Sequence, residues 1–126
     1  MIEISIVVST KNESANLPRL LASIDCQTVS PTEVIVVDNS SSDDTVLLAK
    51  NFGAIVFDRG PERSAQRNYG ISMASGEYVM YLDADMVLHP SLIEEISRFF
   101  ESKSNIGGLY IPEYIVGKGL FGRLRR

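Results

Sequence analysis

Short β-rich runs alternating with segments of helical period predict an α/β fold of three layers, α/β/α, around a mostly parallel sheet. Three observations carry that prediction. Four apolar runs, beginning at residues 4, 33, 54 and 78, are each followed by helix-like sequence and short connections, the pattern of right-handed crossovers between parallel strands. The run Glu33–Val37 is nearly all apolar, as a strand covered on both faces is. Polar residues then gather after three of the runs, where open parallel sheets bind ligands.

The elements follow in chain order. Ile4–Val8 reads as the first strand. Leu17, Leu20, Leu21 and Ile24 keep helical spacing, with Pro18 tolerable only in the first turn. After the second strand at 33–37, Ser40–Asp44 has capping chemistry, and Asp43 is the expected N-cap of a helix running through Phe52 to a stop at Gly53. Ala54–Phe57 is the third strand. Residues 62–74 form a helix closed by Gly76, and Tyr78–Leu82 is the fourth strand. Pro90 opens a last helix whose Leu92, Ile93, Ile96, Phe99 and Phe100 make one apolar face. A fifth strand is expected at Gly108–Ile111.

Composition narrows the function classes. At 126 residues the chain reads as one domain with a single core. A net charge of −4 argues against non-specific nucleic-acid binding. The lone Cys26 cannot form an internal disulfide and fits a reducing compartment; it is expected as a small buried side chain in the first helix. No apolar stretch reaches the roughly 20 residues of a membrane span. With a strand starting at once and no signal peptide, the expected location is cytoplasmic.

Chemistry concentrates at Asp83-Ala84-Asp85, directly after the fourth strand. Two like charges held that close repel each other and resist burial without a counter-cation. A hard divalent ion relieves both problems, since Mg²⁺ or Mn²⁺ takes one or two carboxylates plus phosphate oxygens. Such triplets also occur in loops by chance. The weight here comes from position: Ser9-Thr10-Lys11-Asn12-Glu13 follows the first strand and Asp38-Asn39-Ser40 the second, so three strand ends face one rim. His89, four residues beyond Asp85, reads with Pro90 as the entry to the next helix rather than as a ligand.

Four stretches at that rim carry a family resemblance: Ser5–Glu13, Val36–Asp43, Ala65–Gly70 and Gly76–Asp85. In order and spacing the chain resembles the nucleotide-sugar-binding portion of a family 2 glycosyltransferase, whose fold is the Rossmann-like GT-A type. The resemblance implies a metal-assisted, inverting transfer of a sugar from a nucleotide diphosphate donor, most commonly a UDP-sugar, with Mn²⁺ or Mg²⁺ as cofactor. It implies that Asp38 accepts a hydrogen bond from the base, commonly uracil N3–H, which suits an acceptor-only carboxylate. Thr10, Asn12 and Glu13 would line the nucleoside pocket, although Glu13 also suits the adjacent helix N-terminus. Arg67 would lie near the nucleotide or its phosphates, with Arg63 one turn earlier as its rival. Asp85 would ligate the metal directly, and Asp83 would sit toward the ribose or a metal-bound water.

The chain also departs from the pattern of the family it resembles. Thr10 and Lys11 stand in the first loop where many have proline and an aromatic, and Asn39 and Ser40 replace a common aspartate and glycine. The family's catalytic base comes from a segment well past the fourth strand. Glu113 is the only acidic residue after the 90–101 helix, and its surroundings do not resemble the base motif. The chain therefore reads as a donor half truncated at its C-terminal end, without its acceptor half.

Two functional classes follow: a transferase completed by further residues, or a module that binds nucleotide-sugar without turnover. Nucleotidyl transfer is a weaker third, since residues 9–16 lack the glycine-rich phosphate loop of that class. The tail 117–126 interleaves basic and apolar residues. It reads either as a segment that packs or continues in a longer chain, the preferred reading, or as a contact with an anionic membrane surface bearing lipid-linked acceptors. An incomplete domain leaves apolar surface uncovered, so homo-oligomers are expected.

Overall fold

The computed structural model describes residues 2–103 and 107–108, together with the backbone of 113–115 and 123–125. Its elements are β1 (Ile4–Thr10), α1 (Leu17–Asp25), β2 (Glu33–Asp38), α2 (Thr45–Phe52), β3 (Ile55–Asp58), α3 (Arg63–Met73), β4 (Tyr78–Asp83), α4 (Leu92–Ser102), β5 (Glu113–Ile115) and β6 (Arg123–Arg125). The first four strands form a parallel sheet in the order β3-β2-β1-β4, and β5 pairs antiparallel with β6. The α/β class and parallel sheet are those the sequence predicts.

Every residue of β1 is buried, because β1 lies inside the sheet and both of its faces are covered. Its even-numbered Ile4, Ile6 and Val8 share a core with Leu17, Leu20, Leu21 and Ile24 of α1, Ala49 of α2 and Ile93, Ile96 and Phe100 of α4. Each such aliphatic side chain contributes about 1.5–3 kcal/mol on burial, so this face anchors the domain. The opposite face is thinner: Val7, Ile35 and Val37 pack with Phe57, Tyr69 and Tyr81 beneath α3. There α3 approaches closely at Gly70, where a Cβ would lie 2.4 Å from Val7 Cγ1.

Several expectations shift in detail. The helix α2 starts at Thr45 with Asp44 as N-cap, but the Asp43 carboxylate still accepts the Thr45 N–H at 3.0 Å. Gly53, at φ 99°, ends α2 in the left-handed conformation expected of it. By contrast α3 ends at Met73, and Gly76 serves packing instead: a Cβ there would meet Ser5 Oγ at 2.6 Å. Ser91 rather than Pro90 leads into α4. Cys26 is exposed, not buried; it caps the end of α1 after the apolar stripe has finished at Ile24. Gly108 is described outside any strand, and 109–111, the rest of the expected fifth strand, lie outside the described residues. Of the tail, only the backbone of Arg123–Arg125 is described, as β6. No described helix is long and apolar enough to cross a membrane.

Glu33, the first residue of β2, fastens the end of the sheet opposite the polar rim. Its Oε1 accepts hydrogen bonds from Ser5 Oγ at 2.7 Å, Ser75 N at 2.6 Å and Ser75 Oγ at 2.9 Å, while Ser5 Oγ accepts from Gly76 N at 2.8 Å. The Ser75 backbone N–H, followed by the Ser5 hydroxyl, holds the Glu33 carboxyl below its usual range.

Candidate functional site

The rim is organised by the last two residues of β1. Thr10 is in register with Asp38 of β2, and Ser9 is in register with Asp83 of β4. Because side chains alternate along a strand, the two carboxylates start from opposite faces of the sheet on either side of β1. Each belongs to its own cleft.

The Asp38 end is held by its own loop. Asp38 is only 2% exposed. Its Oδ1 accepts from Thr10 Oγ1 at 2.7 Å and Ser41 Oγ at 2.6 Å, and its Oδ2 accepts from Ser41 N at 2.8 Å. The loops after β1 and β2 are laced together around it. Asn12 N donates to Ser41 Oγ at 2.8 Å, and Ser42 N donates to Asn12 Oδ1 at 2.8 Å. Glu13 N donates to Thr45 Oγ1 at 2.9 Å, and Ser14 N to Asp43 Oδ2 at 3.1 Å. The Thr45 hydroxyl also donates to Asp43, the first of the contacts that hold the Asp43 carboxyl far below its usual range. Asn12 and Ser40 have φ of 51° and 45°. Asparagine tolerates that left-handed region, whereas serine at Ser40 occupies it at a cost of about 1 kcal/mol. The adjoining cleft, of about 310 Å³, is lined by Asp38, Ser40, Ser41, Lys50, Phe57 and Asp58, among others.

The second cleft, of about 70 Å³, is lined by Ser9, Glu13, Arg63, Asp83, Ala84 and Asp85. Here the carboxylates are open. The Asp83 side chain is 37% exposed, with Arg63 Nη1 at 3.7 Å from its Oδ1, and Asp85 is exposed while Ala84 between them is buried. Glu13 lines this cleft and not the one beside Asp38, and its Oε2 accepts from Asn16 Nδ2 at 3.2 Å beside the start of α1. The donor set fits a hard divalent cation whose remaining ligands come from phosphate oxygens. Among the described residues no group of three His, Cys, Asp or Glu side chains is placed to hold a metal by itself. His89 Nδ1 instead contacts Ser91 Oγ at 3.1 Å, at the entry to α4.

Thr10 and Asn12 line neither cleft; they shape the Asp38 loop. Of the two arginines, Arg63 lines the acidic cleft, whereas the Arg67 guanidinium lies 5.3 Å from the centroid of the Tyr81 ring. Sequence reasoning missed three contributors. Gln66, 4% exposed, donates from Nε2 to Thr10 O at 3.0 Å and Val37 O at 2.8 Å, tying α3 to the ends of β1 and β2. Ser41 stood in a quoted motif without a role. Asp58 ends β3 as Asp38 ends β2, in register with it, and accepts Ser40 N at 3.1 Å. A third acidic strand end was the signal for it.

The family model for glycosyl transferase family 2 matches residues 5–123. An uncharacterized glycosyltransferase of Rickettsia prowazekii (strain Madrid E) is 40% identical over 103 residues, covering 81% of this chain and 34% of the relative. The poly(ribitol-phosphate) beta-N-acetylglucosaminyltransferase TarP of Staphylococcus aureus (strain N315) is 31% identical over 129 residues, covering 94% of this chain and 39% of TarP. The chain thus spans between a third and two fifths of the length of these relatives. Among solved structures, S. aureus TarS shares the fold, with a TM-score of 0.75 at 22% identity over 89% of this chain and 39% of that one. Glucosyl-3-phosphoglycerate synthase from Mycobacterium tuberculosis, crystallised with Mn²⁺, UDP and glucosyl-3-phosphoglycerate, gives a TM-score of 0.62 at 29% identity, covering 71% of this chain and 36% of that one. The chain belongs to glycosyltransferase family 2.

Proposed function

We propose that this chain is the donor-binding part of a glycosyltransferase that takes its sugar from a nucleotide diphosphate-sugar, a UDP-sugar being the best fit. The observation that carries the reading is the β1 register, which sets Asp38 on one side of a single strand end and Asp83 on the other; in this reading the base meets Asp38 and the diphosphate meets Asp83 together with Asp85. The UDP and Mn²⁺ held by the M. tuberculosis synthase support the same ligands here.

In this reading Asp38 accepts the N3–H of uracil. Glu13 and Asp83 bound the ribose–diphosphate end, with Asp83 toward the ribose, and Asp85 and Asp83 hold a divalent cation. When bound, that cation supplies positive charge to the leaving diphosphate. Arg63 offers a second cation to the same oxygens, and Arg67 lies one turn further along α3. Transfer with inversion needs a carboxylate base at the acceptor hydroxyl, and no described residue is assigned to that step. The acceptor, and any contact with a lipid-linked acceptor at a membrane surface, belongs to the whole protein.

Calorimetric titration of UDP with and without Mn²⁺ tests the proposal. Binding that strengthens with Mn²⁺ and loses that gain in Asp85→Ala is expected. Binding of UDP that is indifferent to both Mn²⁺ and Asp85 overturns the metal assignment, and no binding at all overturns the donor site.

A further inference from the structure

Thr10 and Ser41 have a role beyond holding a loop. A carboxylate oxygen has two in-plane lone pairs; a third donor must share one of them, as the N–H and hydroxyl of Ser75 do at Glu33 Oε1 beside Ser5 Oγ. Oδ1 of Asp38 already takes two, from the Thr10 and Ser41 hydroxyls, whereas Oδ2 takes one, from Ser41 N, among the described residues. The proton of Ser41 is directed at Asp38, because the same oxygen accepts the Asn12 N–H. Asp38 therefore has one lone pair left, on Oδ2. We infer that the Thr10 and Ser41 hydroxyls are specificity-determining residues that block one oxygen of Asp38, so that the site takes a base with a single N–H donor and rejects one that needs both oxygens.

The chemistry separates the common bases. Uracil presents one donor, N3–H, between two carbonyl oxygens, and one acceptor lone pair satisfies it. Guanine presents N1–H and N2–H side by side, an edge that pairs with both oxygens of an open carboxylate. With Oδ1 occupied, guanine leaves one of its donors desolvated and unpaired, which is costly. Cytosine offers a lone pair at N3, which an ionised carboxylate repels. This inference rests on the reading of Asp38 as the residue that meets the base.

The test is titration of UDP and GDP, each with Mn²⁺, into the wild-type chain, Asp38→Asn, Ser41→Ala, Ser41→Thr and the double variant Thr10→Val/Ser41→Ala. Freeing Oδ1 is expected to strengthen GDP binding and narrow the UDP-to-GDP ratio roughly tenfold in the double variant. Ser41→Ala should shift it less, and Ser41→Thr should keep the wild-type ratio. A gain in GDP affinity cannot come from misfolding. If the double variant binds neither nucleotide, Ser41→Ala alone decides. An unchanged ratio in a variant that still binds UDP, with Asp38→Asn weakening UDP, overturns the hydroxyl filter and leaves the base reading intact. Wild-type UDP affinity in Asp38→Asn, or no UDP binding by the wild type, overturns the base reading and the filter with it.

Discussion

The two carboxylate ends of this rim are built in opposite ways. Asp38 is buried and accepts three hydrogen bonds, two from Ser41 of the loop that follows it and one from Thr10 at the end of β1. Asp83 and Asp85 are open, and Asp83 has the exposed Arg63 at 3.7 Å. A buried acceptor whose lone pairs are mostly assigned before any ligand arrives is suited to selecting among ligands, since the geometry of the remaining position is fixed. Open like charges are suited to affinity, since their mutual repulsion is relieved by an incoming cation. On the proposed reading, selectivity and binding strength are separated by the width of one strand.

That contrast can be broken by mutation. Asp38→Ala leaves a buried Thr10 hydroxyl and the Ser41 donors without their acceptor and should destabilise the fold by about 3 kcal/mol. Asp85→Ala removes an exposed charge and should change stability by no more than about 0.5 kcal/mol. Urea denaturation compares them, and equal losses would dissolve the contrast. Gln66→Leu unpairs the carbonyls of Thr10 and Val37. It should cost about 2 kcal/mol by the same assay, with the larger effect on the Asp38 side. Ser40→Gly relieves the left-handed strain at φ 45° and should stabilise by about 1 kcal/mol; a loss would show that the Ser40 hydroxyl matters more than its backbone. Arg63→Ala removes only an exposed ion pair, worth less than about 1 kcal/mol, yet should weaken UDP more than Arg67→Ala does.

A control lies at the opposite end of the strands. The Glu33 carboxyl is held below its ordinary value of 4.5 by Ser75 and Ser5. A depressed folded-state pKa gives stability that is present above pH 4.5 and is lost as pH falls through the folded value. Denaturation midpoints should therefore fall below pH 4.5, and less steeply in Glu33→Gln. A steeper fall in that variant would remove Glu33 from the account.

Much of this was legible in the sequence because burial on two faces writes itself into composition. Glu33–Val37 and Tyr78–Leu82 read as strands from their apolar runs, and each strand proved one residue longer, ending in its carboxylate. Placing Asp38 and Asp83 inside their strands fixes the face on which each starts, which apolar content alone does not reveal. The roles within the site were less legible. Arg63 and Arg67 are one turn apart on the same helix, and only tertiary packing sends one to the acidic cleft and the other to Tyr81. Gln66 and Ser41 act through contacts 56 and 3 residues away, and polar side chains carry no periodic signal. Cys26 misled because a small apolar residue after a helical stripe looks like its continuation, although α1 ends at Asp25.

The division of labour is tested most directly by titrating uridine and UDP, with Mn²⁺ present, into the wild type, Asp38→Asn and Asp85→Ala. The account predicts that Asp38→Asn weakens both ligands by the same factor, while Asp85→Ala weakens UDP and leaves uridine unchanged. Equal weakening of uridine and UDP by Asp85→Ala, or unchanged uridine binding in Asp38→Asn, would contradict it.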